Sequence, residues 1–172
     1  MEDEILRRKL AGIKLLACDF DGVMTDGRVY VDQDGRETVR CSRRDGMGIT
    51  MLQNAGVEVV VISREANPVV TKRCEKIGVK CWSAVETTLG KLGILQAHAA
   101  ESGLTVDQIA YVGDDVNDIA ALNYAGVAFS VADGHRAVQS IADYVTKASG
   151  GNHVVREICE LIFEAKGITP EY

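Results

Sequence analysis

"LLACDFDGVMTDG", residues 15–27, is the stretch on which the fold turns. An apolar run from Ile13 to Phe20 is too short for a helix before Gly22 interrupts it, so it reads as a buried strand. Asp19 and Asp21 leave the end of that strand two residues apart. In extended chain they point to the same side. Carboxylates so placed either decorate a loop or hold a cation and do chemistry.

Outward from this strand, short apolar runs alternate with helical patterns. "EVVVIS" (58–63), "IAYVG" (109–113) and "VAFSV" (127–131) read as further strands, with "VKCW" (79–82) and "DYVTK" (143–147) as shorter candidates. Helices are predicted over 45–56, 67–78, 90–103, 116–126 and 154–167, each closed by a glycine. Asn67 is the predicted N-cap of the second, with Pro68 at its first helical position, and Asp45 is the predicted cap of the first. The alternation predicts an α/β fold, a three-layer doubly wound parallel sheet in one domain spanning 1–172. "RVYVDQDGRETVRCS" (28–42) breaks the rhythm and reads as a β-hairpin turning at "DQDG". It would overhang the carboxyl ends of the strands, where open α/β sheets bind ligands. Asp26, Asp32 and Asp34 read as turn residues there.

The chain has 172 residues, 47% of them hydrophobic and 26% charged, with a formal net charge of -6. That balance suits a soluble domain with its own core and gives no support to a nucleic-acid or anionic-membrane partner. No segment approaches the ~20 apolar residues that span a membrane. The N-terminal "MEDEILRRKLAG" lacks the apolar run of a signal peptide. The five cysteines (18, 41, 74, 81 and 159) are odd in number and form no C-x-x-C pair, which reads as reduced thiols in a cytoplasmic protein. The three histidines show no metal spacing, and His98 reads as a helix-surface residue.

A second acidic cluster, "GDDVND" (113–118), follows the strand "IAYV" directly. If the two strands are neighbours, Asp19, Asp21, Asp114 and Asp118 converge at one sheet edge. Such carboxylates need a compensating charge, and a hard cation such as Mg2+ suits oxygen ligands shared with a phosphate. Ser63 ends its strand with a hydroxyl, Lys91 opens the next long helix, and backbone N–H groups surround Gly22. Together they could spread over the oxygens of a transferring phosphoryl group.

"DFDGVMTDG", a serine after the second strand, a later lysine and "GDDVND" resemble, in order, the motifs of the haloacid dehalogenase superfamily of phosphatases. "RRDGMGI", "ADYVT" and "GGNHVVREICELI" are similar to its small capless branch. That branch holds 3-deoxy-D-manno-octulosonate 8-phosphate phosphatases and sialic-acid-type 9-phosphate phosphatases. The resemblance implies a Rossmann-like fold with a hairpin flap and no cap domain. It makes Asp19 the nucleophile and a metal ligand, and Asp21 the acid and base, its carbonyl also on Mg2+. Asp114 completes the ligands with Asp115 and Asp118 in support, while Ser63, Lys91 and Gly22 hold phosphate. The implied substrate is a phosphorylated 2-keto-3-deoxy sugar acid, and the implied assembly is a homotetramer whose subunits cover one another's sites.

Arg44, Glu65, Arg73, Lys76 and Arg156 are candidate substrate contacts, and Glu65 with Arg73 and Lys76 resembles the substrate-selecting pattern of the nine-carbon branch, which implies a lean toward a nine-carbon acid. Where many relatives have Thr-Gly, this chain has Ser63–Arg64. The competing reading is a non-catalytic oligomerisation module associated with CMP-sialic acid synthesis. Those relatives lose the first motif's nucleophile, whereas Asp19 is intact here.

Overall fold

In the computed structural model, which describes residues 4–169, the opening apolar run becomes β1 (Leu15–Cys18), every residue of it buried. β1 pairs in parallel with β4 (Glu58–Ile62) on one side and β6 (Ile109–Gly113) on the other. β5 (Lys80–Trp82), β7 (Val127–Ser130) and β8 (Tyr144–Val145) extend the sheet to the order β5-β4-β1-β6-β7-β8, all neighbours parallel. The chain steps one way from β1 and later the other, which leaves a crevice at the carboxyl end of β1.

Both faces of the sheet are covered, so the central strands are apolar throughout rather than alternating. Leu16, Cys18, Val59, Val61, Val112 and Phe129 face one layer of helices. This layer holds α1 (Glu4–Ala11), α2 (Arg43–Asn54), α3 (Val69–Ile77) and α7 (Val154–Lys166), through Leu10, Leu52, Val70 and Ile158 among others. Leu15, Ala17, Val60, Ile62 and Tyr111 face the other. There α4 (Thr88–Glu101), α5 (Ile119–Tyr124) and α6 (Arg136–Gln139) bring Leu95, Leu122 and Val138. The three-layer doubly wound fold is as the sequence predicts. α1 and α6 have no counterpart among the predicted elements.

Two helix starts differ from the reading of the sequence. α2 begins at Arg43, and its cap is Ser42, whose Oγ accepts the Arg44 N–H at 3.1 Å. Asp45 is buried and caps a different helix: its Oδ1 accepts the Arg156 N–H of α7 at 2.8 Å. In α3, Pro68 is the cap residue, and Asn67 closes the entry by accepting the Val69 N–H at 3.1 Å. The predicted 116–126 helix splits into a 3-10 turn at Val116–Asp118 and α5. His98 is a correction. It is buried, with Nε2 3.0 Å from Glu58 Oε1 and its ring edge-on to Trp82.

Between β1 and α2 lies only a two-stranded antiparallel ribbon, β2 (Tyr30–Val31) with β3 (Glu37–Thr38), and no cap domain is inserted among the described residues. Its turn is closed by Asp32, whose Oδ1 accepts N–H bonds from Asp34 and Arg36. A bridge between Thr25 and Cys41 anchors its base beside the loop after β1. Val29, Tyr30 and Val31 are exposed, whereas Val39 packs on the protein's own core.

Candidate active site

The register decides the site. Cys18 pairs with Val112, and the Asp19 N–H donates to the Val112 carbonyl at 3.0 Å. Asp19 therefore leaves β1 level with the point where β6 releases Asp114. The 3-10 turn then folds the chain back, capped by Asp115, whose Oδ1 accepts the Val116 N–H at 2.7 Å. This return brings Asp118 under the sheet edge, fully buried. Oxygens of Asp19, Asp114 and Asp118 all lie within 4.8 Å of one another. Asp115 is exposed and outside that group, so its support consists of shaping the turn.

Lys91 enters from the first turn of α4, with no exposed surface. Its Nζ lies 2.8 Å from Asp19 Oδ2 and 2.8 Å from Asp118 Oδ1. Burial works against its charge, but the two carboxylates outweigh that and raise its pKa. For Asp19, burial and then Asp118 push the carboxyl well up, against Lys91 and the Phe20 N–H, which favour the anion. Three carboxylates thus face one ammonium. The deficit of positive charge and the all-oxygen donor set fit a hard divalent cation.

Close packing of these groups depends on two glycines. A Cβ on Gly22 would lie 1.9 Å from Asp114 Oδ2, and one on Gly113 would lie 2.4 Å from the Asp118 Cβ. The Gly22 N–H, expected to serve a phosphate, here donates to Thr25 Oγ1 at 3.2 Å. Thr25 is fully buried, and its hydroxyl lies 3.3 Å from Asp21 Oδ1. Burial, then Glu65, raises the pKa of Asp21, with the Thr25 hydroxyl and Lys91 acting in the opposite sense. The Asp21 carboxyl is thereby suited to carry a proton.

A cavity of about 500 Å3 opens above these groups, with Asp19, Asp21 and Ser63 on its floor and Glu65 in its wall. Ser63 follows β4 directly, and its Oγ accepts the Glu65 N–H at 3.0 Å, leaving its hydroxyl proton to donate. Of the five candidate substrate contacts, only Glu65 lines this cavity. Arg73 Nη2 donates to the Ser42 carbonyl at 2.8 Å, tying α3 to the start of α2. Arg156 packs between α7 and α2, its Nε 2.6 Å from Glu160 Oε1. Lys76 is exposed on α3, and Arg44 lines a separate recess of about 410 Å3 with Arg40 and His153.

Two participants lay outside the reading of the sequence, and a third, Arg64, was noted there only as part of a basic set. Tyr111 donates its hydroxyl to Asp118 Oδ1 at 2.8 Å from inside β6, Thr25 orders the loop after β1, and Arg64 stands in the cavity wall. Of the two missed, only Thr25 carried a signal, four residues after Asp21 and next to a turn.

Comparison with known proteins agrees with this geometry. Residues 62–158, more than half of the chain, match the haloacid dehalogenase-like hydrolase family. A 3-deoxy-D-manno-octulosonate 8-phosphate phosphatase KdsC of Haemophilus influenzae is 34% identical over 168 residues, covering 94% of this chain and 89% of the relative. A crystal structure of a probable YrbI family phosphatase from Pseudomonas syringae superposes with a TM-score of 0.91 at 36% identity, covering 96% of this chain and 93% of that one. A 3-deoxy-D-manno-octulosonate 8-phosphate phosphatase from Moraxella catarrhalis, solved with magnesium ion, phosphate ion and KDO, gives 0.90 at 32% identity over 95% of this chain and 92% of its own. With four motifs meeting at one sheet edge and relatives matched along nearly its whole length, the chain belongs to the haloacid dehalogenase-like hydrolase family.

Proposed function

We propose that the protein is a Mg2+-dependent phosphatase that removes the terminal phosphate of a 2-keto-3-deoxy sugar acid, with 3-deoxy-D-manno-octulosonate 8-phosphate as the preferred substrate. The observation that carries this reading is buried Lys91 bridging Asp118 to Asp19, which lines an open cavity. The relatives, 3-deoxy-D-manno-octulosonate 8-phosphate phosphatases by name, favour the eight-carbon acid. The pattern that leaned toward a nine-carbon acid is weakened because Arg73 is occupied by Ser42.

Asp19, Asp114 and the Asp21 carbonyl would hold Mg2+, which when bound supplies Lewis-acid neutralisation of the phosphoryl charge. An Asp19 carboxylate oxygen attacks phosphorus, and the bond from phosphorus to the sugar oxygen breaks. Asp21 gives its proton to that leaving oxygen, then takes one from a water that attacks the aspartyl-phosphate and frees Asp19. The Ser63 hydroxyl and Lys91 steady the phosphoryl oxygens through both steps. Asp118 holds Lys91 in place from behind.

The protein acts, in this reading, as a single domain and as a homotetramer. The exposed side chains of Val29, Tyr30 and Val31 on a ribbon too small to be stable alone support association. A cytoplasmic location rests on the five free thiols. No helix among the described residues is long and apolar enough to cross a membrane. The alternative of a non-catalytic module is disfavoured by the intact pairing of Asp19 with Lys91.

The test is release of inorganic phosphate from eight- and nine-carbon sugar-acid phosphates with and without Mg2+. Turnover should require the metal, favour the eight-carbon acid and fall at least a thousandfold in Asp19→Asn. Undiminished turnover in Asp19→Asn overturns the mechanism, and preference for a neutral sugar phosphate overturns the substrate class.

A further inference from the structure

We propose that Arg64 sets specificity at this site by receiving the carboxylate of the substrate while the phosphate occupies the floor. The inference rests on reading the cavity as a phosphatase site for an anionic sugar. Its walls and floor carry Asp19, Asp21, Glu65 and Glu86, so their own field repels a second negative charge on a ligand. Lys91 is completely buried and engaged by Asp19 and Asp118, which confines its influence to the floor. Among the described residues lining the cavity, Arg64 is the one cationic side chain.

Its guanidinium is exposed and makes a single long hydrogen bond, 3.4 Å from Nη2 to the Glu86 carbonyl. No carboxylate pairs with it among the described residues, so most of its fork of donors faces the cavity unmatched. The backbone beneath it is fixed from both sides. The Glu65 N–H donates to Ser63 Oγ, and the Glu65 carbonyl accepts the Ala84 N–H at 2.9 Å. Arg64 is thus an exposed cation on a hydrogen-bonded backbone, one residue beyond Ser63. A planar guanidinium offers a carboxylate two parallel bonds, which a lysine at the same place could not.

The test compares ligands that differ in a carboxylate. Affinities for 6-phosphogluconate, glucose 6-phosphate and 3-deoxy-D-manno-octulosonate 8-phosphate are measured by calorimetry with Mg2+ in an Asp19→Asn background, with and without Arg64→Gln. Arg64→Gln should weaken both carboxylate-bearing ligands about tenfold and leave glucose 6-phosphate within about twofold. Arg64→Lys should recover part of the loss. Equal weakening of all three ligands, or of none, overturns the role of Arg64. Because the comparison needs no turnover, it is read independently of whether the octulosonate phosphate is hydrolysed, and failure of hydrolysis alone strikes only the proposed substrate.

Discussion

At Gly22 the lack of a side chain decides whether the acidic cluster can assemble. Its φ of +76° is the left-handed region, and a Cβ there would overlap the Asp114 carboxylate. Gly22→Ala should therefore displace Asp114 and add backbone strain of about 1–3 kcal/mol. We expect Mg2+ affinity, read by calorimetry, to fall at least tenfold with the fold retained by circular dichroism. Wild-type affinity in that variant would remove the packing rationale. Asp114 also sets a pH dependence. Burial, then Asp118 and Asp115, raise its carboxyl to about 7. Below that pH an incoming cation must displace a proton, so apparent Mg2+ affinity should fall up to about tenfold per pH unit and level off above it. Titrations at pH 6, 7 and 8 in buffers of differing protonation enthalpy would show proton release only at the acid end. Asp19, Asp21, Ser63, Lys91 and Asp114 were legible in the sequence because each lies within a residue or a turn of an element end. Tyr111 was not, since an aromatic inside a buried strand has the signature of core, and only its 2.8 Å bond to Asp118 separates it from the other residues on that face.

The elements around the site are held by side chains that act far along the chain. Asp45, inside α2, caps α7 by accepting the Arg156 N–H, while its Oδ2 is buried without a partner. Burial raises its carboxyl to about 6, against the Arg156 N–H, His153 and Arg73, which favour the anion. The ordinary value is 3.8, so the native state prefers the protonated form. The stability that preference confers is complete below about pH 4 and is lost as pH rises through 6. The two values differ by about two pKa units, or about 3 kcal/mol. Asp45→Asn keeps an acceptor for the Arg156 N–H without the charge. Its stability relative to wild type should rise by about 3 kcal/mol between pH 4 and pH 8, as read by urea denaturation. A difference that does not change with pH would show that the carboxylate is not desolvated. No window of neighbouring residues could reveal this cap, because donor and acceptor lie 111 positions apart. The central strands and α7 were legible for the opposite reason, their apolar pattern and their closing glycines being local. α1 packs on α7 and contributes buried Leu6 and Leu10, yet its many charges masked that stripe in the sequence.

For the molecule as a whole, the question is what shields an open cavity that has no cap domain. The ribbon of β2 and β3 follows the loop after β1, to which its base is tied through the Thr25–Cys41 bridge, and Glu37 on it accepts from Asn67 Nδ2 at 3.2 Å, beside Glu65 of the cavity wall. Val29, Tyr30 and Val31 are 52, 61 and 59% exposed, too much apolar surface for a two-stranded ribbon to leave in water without a partner. A second copy offers the same surface in return, and symmetric burial of these side chains would hold each ribbon over a neighbouring cavity. Water exclusion, which larger relatives obtain from a cap, would then come from assembly. Tyr30→Glu places a charge at the centre of that contact and touches none of the groups that carry the chemistry. It should convert the proposed tetramer to smaller species by light scattering and raise KM for the sugar-acid phosphate about tenfold, while p-nitrophenyl phosphate, a small ester that needs no cover, is hydrolysed within about twofold of the wild-type rate. A monomeric wild-type protein with full activity on the sugar acid would instead mean that the cavity works uncovered, and the exposed ribbon would need another explanation.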